Sequence, residues 1–371
     1  MKVLHLINTL SAGGAELHLL TLCRQLKRRD VEVVVAALHE QVGGSRSLRA
    51  DFESAGVRVI SFGSPSFVDP GFLRSAYKAL KRERPDLLHT HLPRADFAGL
   101  ARRLVSPRVP WVSSVHNVYG RYWSGRKVLP LLNLVWRSPD ALIAISNAVA
   151  EWLQHARRVP ADRVNIVYYG IEARRLDGPT ADLRTEWDLG GRPVIGALGR
   201  LEPRKGHQTL IEAMPRVLEA VPEAVLLIAG HDPWGFGREL ESRIGRLGLS
   251  RSVKMVGFQA DVASYLQALD LFAFASVSEG FGQVLVEAMA AGKAVLASDI
   301  APINEVVSDR ETGILVEPTP EAFAEAAVAL LNEPDRMRSM GKSGRKLVET
   351  RFSAERMGDE TLAVYGSVLE Q

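Results

Sequence analysis

Short runs of aliphatic and β-branched residues recur along the chain, and polar-faced stretches with apolar positions three and four apart separate them. The first half reads VLHLIN (3–8), VEVVVAAL (31–38), VRVISF (57–62), DLLHTH (86–91), WVSSVH (111–116), ALIAIS (141–146) and VNIVYY (164–169). Between them, stretches such as 15–29 and 70–84 carry helical spacing. Near-continuous apolar strands of this kind belong to a parallel sheet covered on both faces. The pattern then restarts with VIGALG (194–199), AVLLIAG (224–230), VKMVG (253–257), LFAFAS (271–276), AVLAS (294–298) and GILVE (313–317). A polar connector with Gly and Pro, ARRLDGPTADLRTEWDLGGRP (173–193), divides the two series, so a linker falls near 170–192. The α/β pattern predicts two doubly wound βα units in tandem. A final helix with one apolar face is expected over 353–370.

Composition agrees with this picture. At 371 residues the chain is too long for one typical domain, and 46% hydrophobic with 24% charged residues is ordinary for a globular protein. Cys23 is the one cysteine, so no intramolecular disulfide forms, and its apolar surroundings read as core. The opening MKVLHLINTL reads as a first strand rather than a signal peptide. No apolar run approaches the roughly 20 residues that span a bilayer. Charge changes the picture more. Lys+Arg against Asp+Glu is 26 − 15 = +11 over residues 1–180 and 20 − 28 = −8 over the rest, giving the net +3. The basic half faces something anionic (a phospholipid surface, a lipid-phosphate acceptor or nucleic acid), or is a solvated basic surface.

Ligands of open α/β sheets bind at the carboxyl ends of strands, so the turns there hold the candidate chemistry. After the first strand comes SAGGAE, where Gly13 and Gly14 open a helix and place bare amides at an anion-binding N-terminus. Neither a G-x-G-x-x-G fingerprint nor a Walker loop is present. After the first strand of the second half comes GRLEPRKG, with Arg200 and Lys205 beside a helix start near His207, an arrangement that suits a diphosphate. After the fourth strand of that half comes SEGFGQVLVEAMAAG (278–292). Gly280 and Gly282 permit close approach of a ligand, and a helix begins near Gly282 or Gln283. Glu287 lies just over a turn inside, on the side of Gln283. A carboxylate so placed accepts hydrogen bonds from sugar hydroxyls, as Glu279 does before the turn; the plainer reading of Glu287 is an acid favoured by the helix dipole.

The E-x7-E element from Glu279 to Glu287, the Arg/Lys pair of GRLEPRKG, the SAGGAE turn and VYYGIE (167–172) together resemble the retaining glycosyltransferases of the GT-B fold, family 4, over nearly the whole chain. Tyr169 and Glu172 stand where that family usually writes Asn-Gly-Ile-Asp. The resemblance implies two Rossmann-like domains facing each other across a cleft. Residues 1–172 would form an acceptor-side domain, with a C-terminal helix of about 353–371 packing back on it, and 173–352 the nucleotide-sugar domain. It implies a nucleotide-diphosphate-sugar donor, UDP- or GDP-linked, and a saccharide or lipid-linked acceptor. Arg200 and Lys205 would contact the diphosphate, and Gly14, beside Gly13, would approach it from the first domain. Glu279 would hold the transferred sugar, with Gly280, Phe281, Gly282 and Gln283 around it, and Glu287 the ribose. His116, in SSVHN, would stand near the reacting sugar as the family's active-site histidine. The catalytic set is thus His116, Arg200, Lys205 and Glu279.

The implied reaction keeps the α configuration and needs no metal or other cofactor, and no Asp-x-Asp element stands at a strand end. Front-side attack, with the departing phosphate taking the acceptor proton, is favoured over covalent double displacement. His89 and His91 in LLHTHLPRAD end a strand, with no third metal ligand apparent, and read as acceptor-side or structural. His231 and Asp232 fill a loop where the family commonly has Gly-rich or acidic residues, with nucleotide contact as a candidate role. The stretch 118–137 interleaves Tyr119, Arg121, Tyr122, Trp123, Arg126 and Lys127, either at the acceptor and an anionic membrane surface or as a packed helix with a solvated basic face. A cytoplasmic enzyme of polysaccharide, glycolipid or lipid-linked glycan synthesis, peripherally attached to the inner membrane face, is the expectation. A GT-B nucleotide-sugar epimerase is the rival enzyme. A nucleic-acid-binding protein leaves the Glu279–Glu287 element unexplained, so no nucleic-acid partner is expected. A nicotinamide-dependent oxidoreductase lacks its fingerprint.

Overall fold

The apolar runs form two all-parallel sheets in a computed structural model that describes residues 1–40, 46–63, 71–119, 129–178 and 180–370. The chain divides into unit 1, Met1–Gly170 with Ala354–Gln371, and unit 2, Ile171–Ser353.

Unit 1 holds β1 (Lys2–Ile7), β2 (Glu32–Ala37), β3 (Arg58–Ser61), β4 (Leu87–His91), β5 (Trp111–Val115), β6 (Ala141–Ala144) and β7 (Val164–Ile166) in the order β3-β2-β1-β4-β5-β6-β7. β4 and β5 are buried at every position, because helices cover both faces. One face packs Leu19, Leu22 and Leu26 of helix Gly14–Lys27 with Met357 and Tyr365 of helix Ala354–Leu369. The other packs Ala76 and Leu80 of helix Gly71–Glu83 and Ala95 of helix Pro93–Gly99 against Leu4, Val34 and Leu88. Each large aliphatic side chain so buried stabilises by roughly 1.5–3 kcal/mol. The last helix crosses close to the first at Gly358, where a Cβ would stand 2.8 Å from Gln25 Cβ. Arg29 Nε donates to Asp359 Oδ1 at 2.7 Å over the same crossing.

Unit 2 holds β8 (Val194–Leu198), β9 (Val225–Ala229), β10 (Val253–Gly257), β11 (Leu271–Phe274), β12 (Ala294–Ser298) and β13 (Gly313–Val316), ordered β10-β9-β8-β11-β12-β13. Ile211, Met214 and Val217 of helix His207–Ala220 and Phe323 of helix Pro320–Leu331 pack against Ile195, Leu226, Ala273 and Leu296. The polar connector is no loose tether. Ala181 N donates to Ser264 Oγ at 2.8 Å, and Arg184 Nη2 reaches Asp270 Oδ2 at 2.6 Å, so it is laced onto unit 2.

Both sheets reverse direction of winding beside their first strand: β1 lies between β2 and β4, and β8 between β9 and β11. The loops after β1 and β4, and after β8 and β11, are therefore neighbours although the chain separates them widely. No described helix is long and apolar enough to cross a membrane.

Candidate active site

In unit 2 the loop after β8 is pressed onto the loop after β11. Gly206 has φ +71°, and a Cβ there would lie 1.9 Å from the Ala275 carbonyl oxygen, so only glycine permits the approach. Cross-links follow. Val277 N donates to Arg204 O at 2.9 Å, Ser276 Oγ to the same oxygen at 3.0 Å, and Arg204 Nη1 to Ser278 O at 3.0 Å.

This juncture brings Lys205 and Glu279 together. Lys205 Nζ donates to Glu279 Oε1 at 2.6 Å and Ser276 Oγ to the same oxygen at 2.7 Å, with both charged side chains largely buried. Burial alone would raise the Glu279 carboxyl, but the Lys205 and Arg204 charges and the hydrogen bonds outweigh it and hold it below the usual glutamate range. Glu279 is thus an ionised acceptor at neutral pH. Arg200 stands apart: its half-exposed guanidinium lies 5.4 Å over the Trp234 ring and 3.4 Å from Glu202. Arg204, which sequence reasoning passed over, is the second cation packed at this juncture, 2.7 Å from Glu202. Its signal was its place between Pro203 and Lys205 in the same short loop.

Gly282, at φ +95°, caps helix Gln283–Ala290. Gln283 Nε2 donates to Glu287 Oε1 at 3.1 Å. Burial raises the Glu287 carboxyl to about 7, with the Gln283 hydrogen bond and the Arg175 charge opposing. The two glutamates of the element thus have separate partners and opposite environments. Gly280 lies buried between them in sequence, and the Phe281 ring packs on Phe352 at 5.7 Å as part of the core. Asp232 is spent on capping helix Gly237–Arg246, accepting from Phe236 N at 2.8 Å and Gly237 N at 3.0 Å.

In unit 1, Gly13 and Gly14 begin helix Gly14–Lys27, and the turn holds a buried carboxyl group. Glu16, buried, accepts from Thr9 Oγ1 at 3.0 Å, and its Oε2 lies 2.7 Å from where a Gly13 Cβ would stand.

His116 follows β5 and is buried, with both ring nitrogens engaged: Nε2 lies 3.1 Å from His91 Nδ1, and Nδ1 bonds the Tyr169 hydroxyl. His89 and His91, read as acceptor-side or structural, are fully buried. β4 is an inner strand, and helices cover the face from which they project. His89 Nδ1 bonds Tyr365 Oη at 2.6 Å and Nε2 bonds Ser114 Oγ at 2.8 Å. The missing third imidazole is His5, in register with His89 on β1. The three offer ligand atoms within 4.8 Å of one another. All of their nitrogens except His5 Nε2 already have protein partners, and His5 Nδ1 lies 3.0 Å from His91 Nε2. A lone His in VLHLIN gave no hint of this; only the β1–β4 pairing shows it. Tyr119 is likewise interior, stacked on Trp136 at 5.8 Å. Arg121, Tyr122, Trp123, Arg126 and Lys127 lie outside the described residues.

Residues 12–175 match the model of Glycosyltransferase Family 4, and residues 181–347 that of Glycosyl transferases group 1. The phosphatidyl-myo-inositol mannosyltransferase of Mycobacterium tuberculosis is 29% identical over 96% of this chain and 93% of its own length. The alpha-maltose-1-phosphate synthase of Mycolicibacterium smegmatis is 30% identical over 77% of this chain and 80% of its own. Among solved structures, Anabaena HepE in complex with UDP and glucose superposes with a TM-score of 0.87 over 99% of this chain and 100% of its own, at 24% identity, a likeness of fold.

Proposed function

We propose, from the premise that the chain belongs to glycosyltransferase family 4 and has the GT-B fold, that it moves a glycosyl unit from a UDP- or GDP-α-sugar to an acceptor hydroxyl with retention of configuration. The observation that carries this reading is the juncture of the loops after β8 and β11. There Gly206 lets Lys205 and Arg204 meet the ionised Glu279, beside the Gly282 cap of the helix bearing Glu287. Lys205, with Arg200 reaching in from the exposed side, neutralises the diphosphate as it departs. The amides at the start of helix Gln283–Ala290 add their dipole. Glu279 accepts from hydroxyls of the transferred sugar, and Glu287 from the ribose diol. With the leaving charge balanced by fixed cations, the reaction runs without a metal ion or other cofactor, and the departing phosphate takes the acceptor proton.

His116 and the Gly13–Gly14 turn are the contributions of unit 1 to the same reaction. The acceptor is a glycan or glycolipid, consistent with relatives named for phosphatidyl-myo-inositol and for lipopolysaccharide core synthesis. The +11 charge of residues 1–180 (26 − 15) suits an anionic membrane surface, at which the enzyme attaches peripherally. A thermal-shift panel of UDP-, GDP- and ADP-sugars tests the donor: one nucleotide class should raise the melting temperature, and Lys205→Ala should abolish the rise. Release of nucleoside diphosphate then reports turnover, which should fall about 10²–10³-fold in that variant. No shift with any nucleotide sugar, or wild-type turnover in Lys205→Ala, overturns the assignment.

A further inference from the structure

Behind His116 a file of imidazoles runs into the sheet of unit 1. His116 Nε2 faces His91 Nδ1 at 3.1 Å, and His91 Nε2 faces His5 Nδ1 at 3.0 Å. At the far end, His5 Nε2 is buried with no hydrogen-bond partner among the described residues. At the near end, His116 Nδ1 meets the hydroxyl of Tyr169. Burial holds all three rings neutral: His5 and His116 fall to about 3, and His91 also lies well below the ordinary histidine range.

A neutral imidazole carries one N–H and one bare nitrogen, so each hydrogen bond in the file dictates the next. Only two proton orders satisfy every link. In one, each ring is protonated on Nδ1: His5 donates to His91, His91 to His116, and His116 to Tyr169. In the other, every link is reversed and His5 Nε2 carries a hydrogen that no acceptor receives. Orphaned buried N–H donors are rarer than under-satisfied acceptors, so the first order wins.

We infer that His91 and His5 are positioning residues for His116, fixing it as the Nδ1–H tautomer with its bare Nε2 turned inward onto His91 and its hydrogen committed to Tyr169. This deepens the proposed function and rests on it where turnover is concerned. His116 then works as a fixed neutral wall of the site rather than as a proton carrier. The file also ties the end of β5 to Tyr169, beyond β7.

Two measurements test the inference. In the wild-type protein, long-range ¹H–¹⁵N correlation of the histidine rings should place the hydrogen on Nδ1 in His5, His91 and His116 between pH 6 and 8; a His116 hydrogen on Nε2 overturns the order. In steady-state kinetics, His91→Phe keeps shape but breaks the file, and should lower kcat about tenfold with the donor KM within about twofold. His91→Asn places an amide nitrogen near the lost Nδ1 and should recover to within about threefold of wild type. A role in packing alone predicts the reverse ranking, with Phe tolerated and Asn damaging, and that result overturns the inference. If the wild-type protein transfers no sugar at all, the proposed function fails, and the ring assignments still decide the proton order.

Discussion

Removing the Lys205 ammonium while leaving Glu279 in place strands a carboxylate that is 8% exposed, with the Ser276 hydroxyl at 2.7 Å as its remaining close donor. Breaking a buried pair from one side typically costs about 3–5 kcal/mol. Arg204 still contributes field to Glu279, so the lower end, about 3 kcal/mol, is expected for Lys205→Met. For a unit of this size that is a fall in melting temperature of roughly 6–12 °C. The deficit should depend on pH with a definite sign. In the wild type the Glu279 carboxyl is held below its unfolded value, so its contribution is present above about pH 4.5 and fades as pH falls through the lower folded value. In the variant the burial effect is unopposed by Lys205, the carboxyl rises, and protonation relieves the stranded charge. The gap between wild type and variant should therefore shrink from pH 7.5 to pH 5. Lys205→Met with Glu279→Gln, which removes both charges, should regain about half of the loss at pH 7.5. Differential scanning followed by tryptophan fluorescence, with Trp187 and Trp234 as the unit 2 reporters, reads all three proteins. A pH-independent deficit, or a double variant as unstable as the single one, refutes the claim that the pair is electrostatic.

Glu287, raised to about 7, works in the opposite direction: burying it ionised costs stability as pH climbs from about 4.5 through 7. Glu287→Gln should match wild type at pH 5 and exceed it by about 2–3 kcal/mol at pH 8 in urea unfolding, while nucleotide-sugar affinity drops at least tenfold. Gly206→Ala must place a Cβ 1.9 Å from the Ala275 carbonyl oxygen at φ +71°, so it should destabilise unit 2 by more than about 3 kcal/mol and abolish donor-induced thermal shifts. Tyr365→Phe deprives His89 Nδ1 of its 2.6 Å partner inside unit 1 and should cost about 1–3 kcal/mol in thermal unfolding, with donor binding to unit 2 unchanged.

The two sheets were legible because parallel strands buried on both faces must be apolar nearly throughout, and that run pattern survives in VEVVVAAL or AVLLIAG without any partner being known. Local turn chemistry was legible for the same reason: the αL conformation of Gly282 and the Gln283–Glu287 pairing four residues on are properties of one short segment. What was not legible depends on strand order. Lys205 and Glu279 are 74 positions apart, and His5 and His91 are 86 apart. Each pair meets because the first strand of a doubly wound sheet lies beside the fourth. Periodicity predicts strands but not which strands are neighbours. Asp96 illustrates the same limit. Its buried carboxyl, raised to about 6, gathers Thr90, Ser113 and Trp136 from three elements, and no spacing in the sequence announces that set.

The same topological position carries opposite electrostatics in the two units, and the difference follows from what each must do with charge. In unit 2, Lys205 and Arg204 balance Glu279 at the strand ends, where, on the proposed function, an incoming diphosphate would add negative charge for the cations to share. In unit 1, the corresponding interior holds neutral imidazoles whose burial disfavours protonation, and the buried Glu16 lies in the first turn of helix Gly14–Lys27. A neutral, hydrogen-bonded interior gains nothing from binding an anion and loses little when one leaves. On the proposed function, discrimination of the donor therefore belongs to unit 2. A swap of charge sign at Lys205 should abolish donor binding, whereas neutral substitutions along the histidine file should act on turnover at nearly unchanged donor affinity.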